Sequence, residues 1–188
     1  LHEDRQCFDD EVLKFVLDDM TAETGVTVLL HALFADVEVR AGRIERVLVE
    51  DKSGRHGLSA RQFVDATGDG DLAARAGAPI EVGRRADGAC QPMTLCFRLG
   101  GVTGGPTAAQ VREELTPILI DAKAKGEVRQ PRENVLVFGT LRGDVFHFNT
   151  TRVVGCSALD GETLTAAELE GRRQTRELVR LFRSRSPR

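Results

Sequence analysis

The chain has no tryptophan and no tyrosine, so its nine phenylalanines carry all aromatic burial, and stacking on a planar ligand would fall to Phe alone. Its four cysteines, Cys7, Cys90, Cys96 and Cys156, are scattered. No C-x-x-C pair is present, which argues against a zinc knuckle, an iron–sulfur cluster or a redox dithiol and leaves no metal site to assign. Reduced thiols in a cytoplasmic protein are the expected state. No apolar run approaches the roughly 20 residues of a membrane span, and no signal peptide is visible. With 26 basic against 29 acidic side chains the net charge is -3. That balance provides no strong field for nucleic acid or an anionic membrane.

The most informative stretch is Arg61-Gln-Phe-Val-Asp-Ala-Thr-Gly-Asp-Gly-Asp71. A short apolar run breaks into a glycine turn and then into a helix-forming segment, the pattern of strand, tight turn and helix start. Gly68 and Gly70 allow close approach of the backbone to a ligand, and free N–H groups there favour anionic groups such as a pyrophosphate. Gly68-x-Gly70-x-x-Ala73 formally satisfies the dinucleotide fingerprint, which leaves open an NAD(P)-binding enzyme using it as the phosphate turn. Against this, the nearest acidic residue for a ribose, Glu81, comes too early. Asp65, Asp69 and Asp71 also crowd the turn and would repel a pyrophosphate. A plain surface turn with Asp69 or Asp71 as N-cap is the third reading.

Periodicity supplies the organisation. Val12, Leu13, Val16, Leu17 and Met20 recur at helical spacing and Gly25 stops the pattern, predicting an amphipathic helix over 8–24. Val26 to Leu30 is wholly apolar and predicts a strand buried on both faces. The segments 33–40, 43–51 and 57–61, joined by Ala41-Gly42 and Lys52-Ser-Gly-Arg55, predict an antiparallel meander. Phe63 to Ala66 predicts a further strand of the main sheet. Beyond Gly83, strands are expected at 91–99, 135–138 and 144–149. Helices are expected from an N-cap at Thr107 to Gly126, with Pro117 a possible kink, and over 165–182 with a Thr165/Glu168 capping box.

Asp65-Ala-Thr-Gly-Asp-Gly-Asp-Leu-Ala-Ala-Arg-Ala-Gly-Ala-Pro79, followed by Gly83-Arg84 and Gln91-Pro-Met-Thr-Leu95, resembles the bacterial FAD-dependent oxidoreductase family. This family belongs to the two-domain flavoproteins that include glutathione-reductase-like and fumarate-reductase-like enzymes. Weaker similarity runs through Phe8-Asp-Asp-Glu-Val-Leu-Lys14, Gly25-Val-Thr-Val-Leu-Leu-His31, Lys52-Ser-Gly-Arg55, Phe148-Asn-Thr-Thr-Arg-Val153 and Leu164-Thr-Ala-Ala-Glu168. Lack of C-x-x-C argues against the dithiol branch.

The resemblance implies an α/β fold: a partial FAD/NAD(P)-binding Rossmann-like domain with an antiparallel β-meander over 1–82, then a strand-rich α+β substrate lobe over 83–188. The family's N-terminal G-x-G-x-x-G and its closing flavin-returning segment are both missing, so the chain is expected to be an internal fragment. By the same resemblance the Ala-Thr-Gly turn passes beside FAD, which makes Asp65, Thr67, Gly68, Asp69 and Gly70 cofactor candidates. The adenine would lie near Ala32 to Phe34, close to His31.

In the second region, polar residues at strand ends are the candidates for chemistry: Arg85, Gln91, Arg98, His147, Asn149 and Arg152. Strand alternation puts His147 and Asn149 on one face and Phe146 and Phe148 on the other. His147 suits proton transfer, and Arg152 suits holding a carboxylate or oxyanion. The expected activity is hydride transfer between a small organic substrate and non-covalently bound FAD. Expected partners are a small-molecule substrate and a second copy or a redox subunit, with no nucleic acid and no membrane. A non-catalytic binding or assembly module of the same fold is the alternative.

Overall fold

A computed structural model describes residues 8–187. Mixed helix and antiparallel sheet divide into two compact units, Phe15–Gly88 and Leu1–Lys14 with Ala89–Arg188. Cys7 lies outside the described residues.

Helix α1, Asp10–Thr24, begins where the Asp9 carboxylate accepts from the amides of Glu11 (2.9 Å) and Val12 (3.1 Å). Such capping satisfies donors that a helix start otherwise leaves unpaired. It ends in a Schellman arrangement, with Val26 N donating to Thr21 O and Gly25 N to Ala22 O, which requires the left-handed φ of 68° that Gly25 supplies. None of its side chains is buried.

In Phe15–Gly88 the meander forms as β1 (Leu33–Arg40), β2 (Arg43–Asp51) and β3 (Gly54–Leu58), paired antiparallel in the order β1-β2-β3. Ala41 and Gly42 take φ 49° and 74°, the paired left-handed conformation of a two-residue hairpin turn. The third strand starts at Gly54 rather than Gly57. The short helix α2, Asp71–Arg75, follows the glycine turn.

Two expected strands are absent. Residues 26–30 and 63–66 are extended or turning backbone, with Val28, Leu29, Leu30 and Val64 exposed. Apolar runs become strands only when neighbours complete their hydrogen bonds, and no described strand pairs with either segment.

The unit containing Ala89–Arg188 holds most of the buried core. Its sheet has the order β4-β6-β5, from β4 (Phe97–Leu99), β5 (Val137–Gly139) and β6 (Phe146–Phe148), all antiparallel. The expected strand over 91–99 is realised as β4 plus a single bridge between Met93 and Val153. Helix α3, Ala108–Ala124, is opened by a reciprocal capping box between Thr107 and Gln110 and carries Pro117 within it. Helix α4, Gly161–Arg185, starts at Asp160, whose carboxylate accepts from Thr163 N at 2.8 Å. Asp160 thus caps the helix one turn before the expected Thr165, whose hydroxyl donates instead to Gly161 O inside the helix. Leu119, Ala122, Val135, Val137 and Leu178 are sealed from solvent between helices and sheet. Phe148 stacks on Phe97 at 5.1 Å and leans on Phe182 at 5.9 Å.

Candidate functional site

The glycine turn is organised by Asp65. One carboxylate oxygen accepts from Thr67 N (3.0 Å) and Thr67 Oγ1 (2.7 Å), and the other from Ala73 N (2.9 Å). Thr67 Oγ1 in turn accepts from Asp71 N at 2.9 Å. Bonds from Ala73 and Thr67 hold the Asp65 carboxyl below the usual carboxylate range. The residue capping α2 is Gly70 in the left-handed region, φ 78° and ψ 32°, with no side-chain bond of its own. Capping therefore comes from Asp65 and Thr67, upstream of the Asp69 and Asp71 considered from sequence.

This arrangement bears on the phosphate-turn reading. The Asp71 and Ala73 amides, which a pyrophosphate on α2 would need, are already engaged by the protein's own oxygens. By contrast, the amides of Gly68, Asp69 and Gly70 form no hydrogen bond among the described residues. Gly68 has φ 98°, and a Cβ built on it or on Gly70 meets nothing within 4 Å. At Gly68 and Gly70 the turn thus presents backbone without side chains to open space, with unspent donors over 68–70, which fits a polar cofactor passing over it.

Arg75, at the end of α2, ties this turn to β1. Its guanidinium lies 5.5 Å from the Phe34 ring centroid, and Nη1 donates to Ala35 O. The two groups of cofactor candidates, 65–70 and Ala32/Phe34, are consequently held on neighbouring elements of one unit. His31, just before them, is held at φ 56°.

On the β4-β6-β5 sheet, Phe146 and Phe148 are buried at 3% and 2% exposure, while His147 and Asn149 are half-buried. Alternation read from sequence therefore holds. In register, Arg98, His147 and Phe138 stand opposite one another across the three strands, and the Phe138 and His147 rings lie 6.4 Å apart. The Asn149 side-chain oxygen accepts from Thr94 Oγ1 at 2.8 Å. A cation, an imidazole, an amide and an exposed aromatic ring thus share the side of the sheet opposite the core. Arg85, in the other unit, is paired with Glu81 at 2.7 Å.

Beyond β6 the sheet is continued by side chains. The buried Thr150 hydroxyl accepts from Leu136 N (3.1 Å) and donates to Leu136 O (2.9 Å). The equally buried Thr151 hydroxyl does the same to Leu95 on the other side, at 2.8 and 3.1 Å. Gln174, on α4, then grips the Arg152 peptide at both N and O. Sequence reasoning missed Thr94, Thr150, Thr151 and Gln174, although Phe148-Asn-Thr-Thr-Arg-Val153 was already a marked motif. The Arg152 side chain makes no hydrogen bond among the described residues. Cys90, Cys96 and Cys156 are free thiols, and no helix among the described residues is long and apolar enough to cross a membrane.

No curated protein and no solved structure matches the chain. A family model described as FAD dependent oxidoreductase matches residues 1–187. With nearly the whole sequence matched, the chain belongs to the FAD dependent oxidoreductase family.

Proposed function

We propose that this chain is the central portion of a flavoenzyme that transfers a hydride between a small organic substrate and FAD. Residues 1–82 form part of a Rossmann-like FAD-binding domain and residues 83–188 belong to the substrate lobe. The observation that carries the reading is the Asp65-organised turn, whose open glycine backbone retains unpaired donors. FAD, when bound, supplies the two-electron acceptor.

The protein's own contribution is positional. Asp65 and Thr67 fix the turn, the backbone of Gly68 and Gly70 allows close approach, and Asp69 is the partner for a ribityl hydroxyl. Ala32 and Phe34 hold the adenine side. On the lobe, His147 holds or accepts the substrate proton at an imidazole nitrogen, and Asn149, fixed by Thr94, orients a substrate oxygen. Arg152 binds a substrate carboxylate, with Arg98 beside His147 adding positive charge.

The test is anaerobic reduction of the FAD-loaded chain by a panel of hydroxy and amino acids, followed by flavin bleaching. His147→Gln is expected to slow bleaching by about 10²-fold or more while leaving FAD affinity unchanged. Unchanged bleaching in that variant would remove His147 from the chemistry. Absence of bound FAD would remove the proposal itself for this chain.

A further inference from the structure

A second site lies on the helix side of the β4-β6-β5 sheet. A cavity of about 310 Å³ opens where the end of β4 meets α3 and the last turns of α4. Its inner wall is apolar and buried: Val111, Leu115, Phe148 and Phe182, all at 5% exposure or less. Its exposed lining includes Arg98 and Arg183, while Glu114 and Ser186 complete the rim. Gly100 and Gly101 line one side without side chains.

Charge at the rim is uneven. Glu114 accepts from Ser186 Oγ at 2.5 Å, so its carboxylate is already engaged. Arg183, exposed at the rim, forms no ion pair among the described residues. Arginine also projects a fork of donors matched to a carboxylate. The volume is that of a small-ligand pocket, which combines an apolar interior with few placed polar groups.

We infer that this cavity binds an amphipathic organic anion, its hydrocarbon body against Phe148 and Phe182 and its carboxylate at Arg183. The site does not depend on FAD and is separate from the His147 face.

Octanoate, octanamide and octylamine, titrated into the full chain without FAD and followed by amide NMR shifts, test this. Saturable octanoate binding is expected, with shifts centred on 99–102 and 182–186. Octanamide should bind about tenfold more weakly, and Arg183→Gln should weaken octanoate by about the same factor, as loss of one hydrogen bond to a charged group implies. Val111→Phe, which fills the cavity, should abolish binding with the melting transition retained. Because Arg183 is exposed, its variant remains a clean readout if the core variant fails to fold. Equal binding of octanoate and octanamide, preference for octylamine, or no saturation would overturn the inference.

Discussion

Gln174 and Arg152 are joined twice: Arg152 N donates to Gln174 Oε1 at 2.8 Å, and Gln174 Nε2 donates to Arg152 O at 3.0 Å. Gln174 is 1% exposed, so an amide side chain on α4 serves as the strand neighbour that Arg152 lacks. A further bond from Nε2 to Glu170 at 2.8 Å fixes which end of the amide is which.

Gln174→Leu keeps the size of the side chain but leaves a buried N–H and C=O without partners. Each such group costs about 1–3 kcal/mol, so chemical denaturation should show a loss of at least that order. Gln174→Glu can still accept from Arg152 N, but it sets a buried carboxylate oxygen against Arg152 O and the Glu170 carboxylate, and should lose at least as much as Leu.

Thr150 and Thr151 hold opposite neighbours, Leu136 and Leu95, through single hydroxyls. Thr→Val at either position preserves shape and removes two hydrogen bonds. Each variant should lose about 1–3 kcal/mol from the backbone groups left unsatisfied. Thr151→Val should also loosen Thr94, whose hydroxyl lies 3.1 Å from that of Thr151, and so lower turnover through Asn149. Thr150→Val should affect stability alone. Denaturation curves alongside reductive rates separate the two.

Gly171 lies inside α4, where alanine would ordinarily gain about 1 kcal/mol of helix propensity. Here its Cβ would sit 2.9 Å from Leu95 Cβ, an atom fixed to the backbone. Overpacking costs about 1–3 kcal/mol and wins. Gly171→Ala should lower the melting temperature, whereas an increase would mean that the 89–96 segment yields readily.

The Asp65 carboxyl is held below its ordinary value of 3.8, chiefly by the Ala73 and Thr67 bonds. Its depressed value means that the turn is fully stabilised above about pH 3.8 and released as pH falls through the lower folded-state value. The Ala73 amide shift should therefore titrate in acid below that pH. In Asp65→Asn this step should vanish, and the turn should be loosened at neutral pH, because an amide cannot accept from both Thr67 and Ala73 as the carboxylate does.

Much of the fold was legible because it rests on local rules. The meander follows from alternation and the Ala41-Gly42 turn, α1 from its apolar spacing and Gly25, and α3 from Thr107. Residues 26–30 and 63–66 misled because their apolar composition specifies burial without specifying a partner, and a strand needs both. The α4 start was misplaced since Asp160 and Thr165 are both good caps, and only the reach to Thr163 N decides between them. On the candidate site, the faces of His147 and Asn149 were legible from strand parity. The role of Asp65 as the turn's own cap was not, because its partners include Ala73, eight residues on. Thr150 and Thr151 were invisible for a related reason: a threonine hydroxyl standing in for a sheet's backbone leaves no periodic trace.

The most direct test of the central claim is titration of the chain with FAD, followed by flavin fluorescence, in wild type and in Gly68→Val. Gly68 has φ 98° and faces open space, so a branched side chain there both strains the backbone and covers the surface on which the cofactor is proposed to lie. Saturable FAD binding by the wild type, lost or weakened at least about tenfold in the variant, is the predicted result. Equal FAD binding by both proteins, or none by the folded wild type, would contradict it.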